Sequence, residues 1–156
     1  MKMTVGSARK KIYALRAQQE GNSDLAALFF AISNSEAAQA SRFLIQLRGH
    51  TGSNEENCAM AFEQEIPATI DSYEETAHLA SDCRDKAMHG ACSQSVRVQC
   101  MHLSLKKKLD KKSSQDAKQG ARYHVCQFCG FIREDKAPEN CPICTAPSSR
   151  FQEISV

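Results

Sequence analysis

The chain contains no tryptophan, and aromatic residues make up only 6% of its 156 residues. No stretch approaches the roughly 18 apolar residues that a membrane-spanning helix needs, so we expect no membrane segment. The formal net charge is only +2, which argues against a dedicated nucleic-acid surface. The start of the chain is charged and has no apolar core typical of a signal peptide, so we expect a cytoplasmic protein.

Hydrophobic residues make up 42% of the chain, which is enough for a core built from aliphatic side chains. Apolar residues recur with helical spacing in four segments, as in the stripe Leu25, Leu28, Phe29 and Ile32. The segments cover residues 2–19, 23–48, 57–81 and 84–109. Asn22 or Ser23 can cap the second helix. Short connections between four helices predict an antiparallel bundle.

Pro67 lies inside the third predicted helix. Because proline has no N–H to donate, it either bends this helix or marks the helix's true start. Four of the eight cysteines are scattered through predicted helix, and we interpret them as small apolar residues in a reducing cytosol. They are Cys58, Cys83, Cys92 and Cys100.

The other four cysteines form two Cys-x-x-Cys pairs, Cys126 with Cys129 and Cys141 with Cys144. Two such turns that face each other make a tetrahedral four-sulfur cage, which holds iron or zinc. Two disulfides are disfavoured in a cytosolic chain. A tail of about 35 residues is too small to fold by apolar burial alone, so it needs this metal.

The organisation predicted from these patterns is a helical domain followed by a small metal-binding tail. The helical domain covers residues 1–110, a polar and basic linker covers 111–121, and the tail covers 122–156. Aromatic side chains are expected to wrap the metal site in apolar material. They are Tyr123, Phe128, Phe131 and Phe151.

The tail "YHVCQFCGFIREDKAPENCPICTAPSSRFQEI" resembles the rubredoxin-like domain at the end of rubrerythrins. The segments "LAALFFAISNSEAAQASRFL" and "AFEQEIPATIDSYEETA" resemble the second and third helices of the rubrerythrin ferritin-like domain. The resemblance implies a ferritin-like bundle, a rubredoxin-like tail with one iron, and a homodimer. Thr145 stands where the family usually has glycine, and a β-branched residue is costly at positive φ, so the second loop is expected to be less regular.

The resemblance also implies a di-iron centre in the bundle, but most of the ligands for it are missing. The second helix has Glu36 with Gln39 in place of a histidine, and the fourth has His102 with Gln99 in place of a glutamate. Glu65 on the third helix is retained, and the first helix offers no acid. Two carboxylates and one imidazole cannot satisfy two irons, so we expect no di-iron centre.

Two interpretations of the bundle residues remain open. The favoured one is a metal-free polar network, in which Gln39, Gln99 and His102 donate hydrogen bonds to the buried Glu36. The other is a vestigial single-metal site formed by Glu36, Glu65 and His102.

The leading functional hypothesis is a rubrerythrin-like electron carrier that uses one four-cysteine iron and an unidentified redox partner protein. One alternative is a zinc-stapled dimerisation or interaction module without a redox role. A second alternative is a peroxide-reducing oxidoreductase, which requires that the bundle still binds metal. Nucleic-acid binding by the tail is disfavoured because its charges balance. The basic residues are Arg133, Lys136 and Arg150, and the acidic ones are Glu134, Asp135, Glu139 and Glu153.

Overall fold

The computed structural model describes residues 2–49, 51–111 and 122–154. Over these residues the chain is mostly helical and ends in a small antiparallel sheet, which confirms the predicted fold class. The helices are α1 Lys2–Gln19, α2 Ser23–Arg48, α3 Asn54–Ala59, α4 Ile66–Asp82 and α5 Lys86–Lys111. The strands are β1 Tyr123–Cys126, β2 Ile132–Glu134 and β3 Phe151–Ile154. The chain divides into two compact units, residues 1–53 and 54–156.

The first unit is a hairpin of α1 and α2 joined by a short turn. Gly21 adopts a φ of +78°, which lets the chain reverse within a few residues. The Asn22 side chain then accepts a hydrogen bond from the Leu25 amide at 3.1 Å, which confirms the predicted cap. A hydrogen-bonded turn and a capped start together define where α2 begins.

Small and polar residues line the seam between α1 and α2. Ala14 is completely buried there. The hydroxyls of Ser7 and Ser33 each donate to the other residue's carbonyl oxygen at 2.9 Å. Further along, the rings of Tyr13 and Phe29 meet edge to face with centroids 5.7 Å apart. From Ser7 to Tyr13 along α1, the partner in α2 moves back from Ser33 to Phe29, so the helices are antiparallel.

A π-helical stretch, Met60–Glu65, joins α3 to α4. At its end the Ile66 amide donates to the Ala61 carbonyl, which is an i to i−5 bond. Pro67 follows immediately, in the first turn of α4, where a missing N–H is tolerated. Because the backbone stays helical through Ala59, Glu65 and Ile66, Pro67 lies just after a change of helix type and not at the start of a separate helix. The alternative that Pro67 bends the helix stays a prediction, and the π-helical stretch was not expected.

The second unit contains α3, the π-helical stretch, α4, α5 and the tail sheet. Asp85 caps α5 by accepting a hydrogen bond from the Met88 amide at 3.0 Å. The sheet has the order β2-β1-β3, with Val125 opposite Ile132 and Cys126 opposite Phe151. One buried cluster joins α5 to the tail. Its members are Val98, Cys126, Phe131 and Cys141.

The predicted linker 111–121 lies outside the described residues except for Lys111, the last residue of α5. The division into a helical domain 1–110 and a tail 122–156 stays a prediction. Among the described residues, no helix has the length and apolar character needed to span a bilayer.

Candidate metal centre

The first Cys-x-x-Cys pair lies on a tight loop that leaves β1. The Cys126 amide donates to the Phe131 carbonyl at 2.8 Å, and the Gly130 amide donates back to the Cys126 carbonyl at 2.9 Å. Gly130 closes the loop with a φ of +82°, a conformation that glycine adopts without a steric cost. This closure turns the Cys126 and Cys129 side chains toward one centre.

The second pair lies on a loop with the same backbone hydrogen bonds. The Cys141 amide donates to the Ala146 carbonyl at 2.8 Å, and the Thr145 amide donates to the Cys141 carbonyl at 2.9 Å. Thr145 occupies the position equivalent to Gly130, with a φ of +62°. The prediction that this loop is less regular is wrong. Threonine adopts the required left-handed backbone conformation, although this conformation costs a residue with a Cβ atom about 1–2 kcal/mol.

The two loops bring four sulfur atoms together. The Sγ atoms of Cys126 and Cys144 are 3.7 Å apart, and those of Cys129 and Cys141 are 3.5 Å apart. A tetrahedral site with metal–sulfur bonds of about 2.3 Å has sulfur–sulfur edges of about 3.8 Å. All four sulfurs lie within 4.8 Å of one another. The donor set therefore fits a single iron or zinc ion.

Apolar side chains shield the four sulfurs on one side. Cys126 and Cys141 are each only 1% exposed, and Val98 of α5 packs into the same cluster. Phe131 and Phe151 meet edge to face with centroids 6.4 Å apart. The prediction that Phe128 belongs to this shell is wrong, because its side chain is 76% exposed.

Burial and backbone amides act in opposite directions on the thiols. Burial raises the pKa of Cys129, and the Phe131 amide offsets only part of this effect. Burial also opposes ionisation of Cys141, but the Cys144 and Ile143 amides bring the pKa of Cys141 below its usual value. Without a cation, four thiolates so close together would repel one another. A bound metal ion supplies the charge that all four need.

Comparison with known proteins identifies this tail. Residues 124–152 match the family model for the rubrerythrin rubredoxin-like domain. The tail is a rubredoxin-like domain of the rubrerythrin type. The chain as a whole is similar to the solved structures of nigerythrin in a partially reduced and a fully reduced, all-ferrous state. No curated protein sequence matches the chain.

The nigerythrin structures share the fold of this chain at low sequence identity. Both are 21% identical to it and cover 97% of its residues. This chain covers 80% of the partially reduced nigerythrin chain with a TM-score of 0.55, and 81% of the fully reduced chain with a TM-score of 0.56. The likeness extends from the helices through the rubredoxin-like domain, and at this identity it shows the fold alone.

Glu36, the first predicted bundle ligand, has a lysine as its partner. Lys10 Nζ lies 2.6 Å from Glu36 Oε1. The other oxygen, Oε2, is buried and has no hydrogen-bond partner among the described residues. A Cβ atom on Gly6 would lie 2.7 Å from that oxygen, so only glycine leaves room for the carboxylate there.

The prediction that Gln39 donates a hydrogen bond to Glu36 is wrong, whereas Gln99 and His102 belong to the second unit and stay predicted donors. The Gln39 amide donates to the Ser35 hydroxyl at 3.4 Å, and Lys10 is the donor to Glu36. The sequence contained a signal for this pair, because Lys10 lies one helical turn after Gly6 and so shares its face of α1.

Glu65 and His102, the other predicted bundle residues, lie in the second unit. Glu65 is exposed at the end of the π-helical stretch, and its carbonyl accepts a hydrogen bond from the Thr69 hydroxyl. His102 Nδ1 lies 3.2 Å from Gln99 Oε1, and burial lowers the pKa of this histidine. Among the described residues, only the four cysteines form a close group of three or more potential metal ligands. The vestigial bundle site stays a prediction.

The four remaining cysteines are free thiols in different environments. Cys92 is buried on α5, as expected for a small apolar residue. Cys58 is partly buried on α3, whereas Cys83 and Cys100 are exposed. Packing therefore accounts fully only for Cys92.

Proposed function

We propose that the protein carries single electrons through one iron ion bound by Cys126, Cys129, Cys141 and Cys144. The observation that carries this proposal is the convergence of four sulfur atoms within 4.8 Å of one another. An iron ion with four thiolate ligands supplies a reversible one-electron step. Zinc fits the same sulfur cage, but it has no redox chemistry.

Backbone amides prepare the sulfur atoms for this role. The Phe131 amide donates to Cys129, and the Ala146 amide donates to Cys144. Hydrogen bonds from amides stabilise negative charge on sulfur. Because reduction adds one negative charge to the site, these amides favour the reduced state.

The surface next to the cage supports electron exchange with another protein. Phe128 lies between the two cysteines of the first loop and is 76% exposed. An exposed aromatic ring beside a buried centre is typical of a protein contact surface. We propose that the redox partner docks over Phe128, where its own centre comes close to Cys129.

The proposal assigns no peroxide chemistry to the helices. Glu36 is half-buried and neutralised by the Lys10 ammonium, whose charge removes the need for a metal ion there. A di-iron centre needs several carboxylates that are free to balance the charge of two metal ions. A polar pair of this kind supports a role for the helices as a scaffold.

We further propose that the protein is a homodimer in the cytoplasm. Large apolar side chains of α1 and α2 remain exposed, with Ile12 at 62%, Leu28 at 55% and Leu47 at 83%. Such side chains are suited to a subunit interface. All eight cysteines are described, and none forms a disulfide, which suits a reducing compartment.

The experiment that tests the electron-carrier proposal measures metal and colour together. The full chain is purified from iron-supplied cells, its metal content per chain is determined, and its visible spectrum is recorded before and after dithionite. We expect about one iron per chain and a red colour that bleaches on reduction. A colourless zinc protein would instead favour the interaction module. Iron beyond the four-cysteine site would return peroxide reduction as a candidate function.

A further inference from the structure

The second unit contains an apolar cavity of about 440 Å³ beside the rubredoxin-like sheet. Its walls come from α3, the π-helical stretch and the start of α4, from α5, and from the face of the sheet. Residues that define these walls include Cys58, Phe62, Ile66, Leu105, Val125 and Ile132. Its volume falls within the range of about 300–1,000 Å³ that is typical of small-molecule sites.

The two basic side chains in the wall offer no unpaired positive charge, because one forms an ion pair and the other is neutral. Lys106 forms an ion pair with Asp110 at 2.5 Å, and its ammonium also lies 5.8 Å from the centre of the Phe62 ring. His102 has a lowered pKa because it is partly buried, so the neutral imidazole is favoured. A charged ligand would lose its hydration here without gaining an opposite charge. The wall therefore suits an uncharged ligand.

Two aromatic residues of the wall favour a flat ring as the ligand. Phe62 comes from the π-helical stretch and Tyr123 from β1, so the rings belong to separate elements. Aromatic rings bind one another in edge-to-face or offset-stacked pairs. A π-helical stretch frequently marks a functional site, and here it contributes Phe62 to the wall.

The connecting segment 112–121 is by its composition a poor match for this cavity. Residues 112–121 connect Lys111 to Arg122 and have the sequence KSSQDAKQGA. The segment contains no apolar side chain larger than alanine. It therefore has nothing with which to fill an apolar space of this size.

We propose that this cavity binds an uncharged aromatic small molecule between the π-helical stretch, α5 and β1. The ligand would contact Val125, which directly precedes the metal ligand Cys126. This proposal does not depend on which metal the cysteines hold. A failure of the electron-transfer proposal would therefore leave this one unaffected, and the reverse also holds.

The test uses two related fluorophores on the metal-loaded full chain. Phenylnaphthylamine is an uncharged aromatic probe, and anilinonaphthalenesulfonate is its anionic counterpart. The absence of tryptophan keeps the background emission low. We expect saturable binding of about one phenylnaphthylamine per chain, with the sulfonate at least about tenfold weaker because the wall offers no free cation.

A matched pair of variants locates the binding site. Cys58→Phe fills part of the cavity and should weaken phenylnaphthylamine binding about tenfold or more. Cys100→Phe makes the same change at an exposed position on α5 outside the wall, and it should change binding less than about twofold. Non-saturable binding, equal affinity for the sulfonate, or unchanged affinity in Cys58→Phe would overturn the proposal. The unmodified protein could also be a dimer that excludes the probe, with Cys58→Phe dissociating it. That result would show that a second copy covers the cavity, and it would overturn the proposal.

Discussion

Lys10 and Glu36 form an ion pair across the seam of α1 and α2, with Nζ and Oε1 2.6 Å apart. The side chains are 30% and 24% exposed, so solvent screens the pair only in part. Gly6 creates the space for the second carboxylate oxygen. The pair supplies a positive charge from the protein itself at a position where the rubrerythrin resemblance implies a metal ligand.

Replacing Lys10 with methionine should destabilise the α1–α2 hairpin. Lys10→Met keeps most of the side-chain length but leaves the Glu36 carboxylate without its cation. Partial exposure limits the expected loss to about 1–2 kcal/mol in the free energy of unfolding. Urea denaturation followed by circular dichroism measures this loss.

The control for this prediction removes the charge on the other side of the pair. Adding Glu36→Gln to Lys10→Met should recover part of the stability, because a neutral amide needs no cation. Metal content should stay that of the four-cysteine site in both variants, and also in Glu36→Ala. An extra metal ion bound by Lys10→Met, or no loss of stability, would contradict the assigned role of Lys10.

Exchanging glycine and threonine between the two cysteine loops should change the stability of the tail in opposite directions. Thr145→Gly should stabilise the tail by about 1 kcal/mol, because glycine adopts the φ of +62° without strain. Gly130→Thr should destabilise it by a similar amount. Space is not the cause, since an added Cβ at Gly130 would meet only a Val98 methyl group, at an ordinary 3.8 Å.

Thermal release of the metal, followed by the colour of a chelator, measures both loop variants. The backbone hydrogen bonds at the two positions are equivalent, so each variant serves as the control for the other. Effects of the same sign in both variants would mean that backbone conformation does not decide the stability of these loops.

The four-cysteine site could be predicted because its information is local in the sequence. Cys126 and Cys129 share one turn, as do Cys141 and Cys144, and the required geometry allows few alternatives. The pair of Lys10 and Glu36 is different, because its partners are 26 residues apart. Their contact depends on how α1 and α2 align, which helical periodicity alone does not determine.

The π-helical stretch shows a second limit of sequence reasoning. Pro67 indicated that something interrupts the third helix, and the structure changes from π-helical to α-helical turns just before it. The i to i−5 bond from Ile66 to Ala61 depends on the packing around the preceding turn. Periodicity of 3.6 residues describes an ordinary helix and carries no signal for that wider turn.

His102 should make stability depend on pH below neutrality. Burial lowers its pKa in the folded chain, and the usual unfolded value is about 6.5. As the pH falls below that value, the unfolded chain takes up the proton first, so the free energy of unfolding decreases. The stabilisation is therefore fully present above about pH 6.5. It is lost as the pH falls from there to the lower pKa of His102 in the folded state.

Urea denaturation at about pH 7.5 and about pH 5.5 tests this dependence in three chains. His102→Gln should show a smaller loss of stability on acidification than the unmodified chain. His89→Gln replaces an exposed histidine of the same helix and should keep the original loss. Equal pH dependence in His102→Gln and the unmodified chain would mean that other groups cause the acid sensitivity.

Loss of a single metal ligand should unfold the tail and leave the helices intact. Cys126→Ser removes a thiolate that is only 1% exposed, and a tail of this size has too little apolar burial to fold without its metal. We expect metal content to fall close to zero and proteolysis within the tail to accelerate about tenfold or more, while the helical circular dichroism signal persists.

Cys100→Ser is the matched control, because it removes an exposed thiol from α5 and should keep both metal and protease resistance. A Cys126→Ser chain that loses its metal but stays protease-resistant would show that α5 packing, through Val98, holds the tail together without the ion.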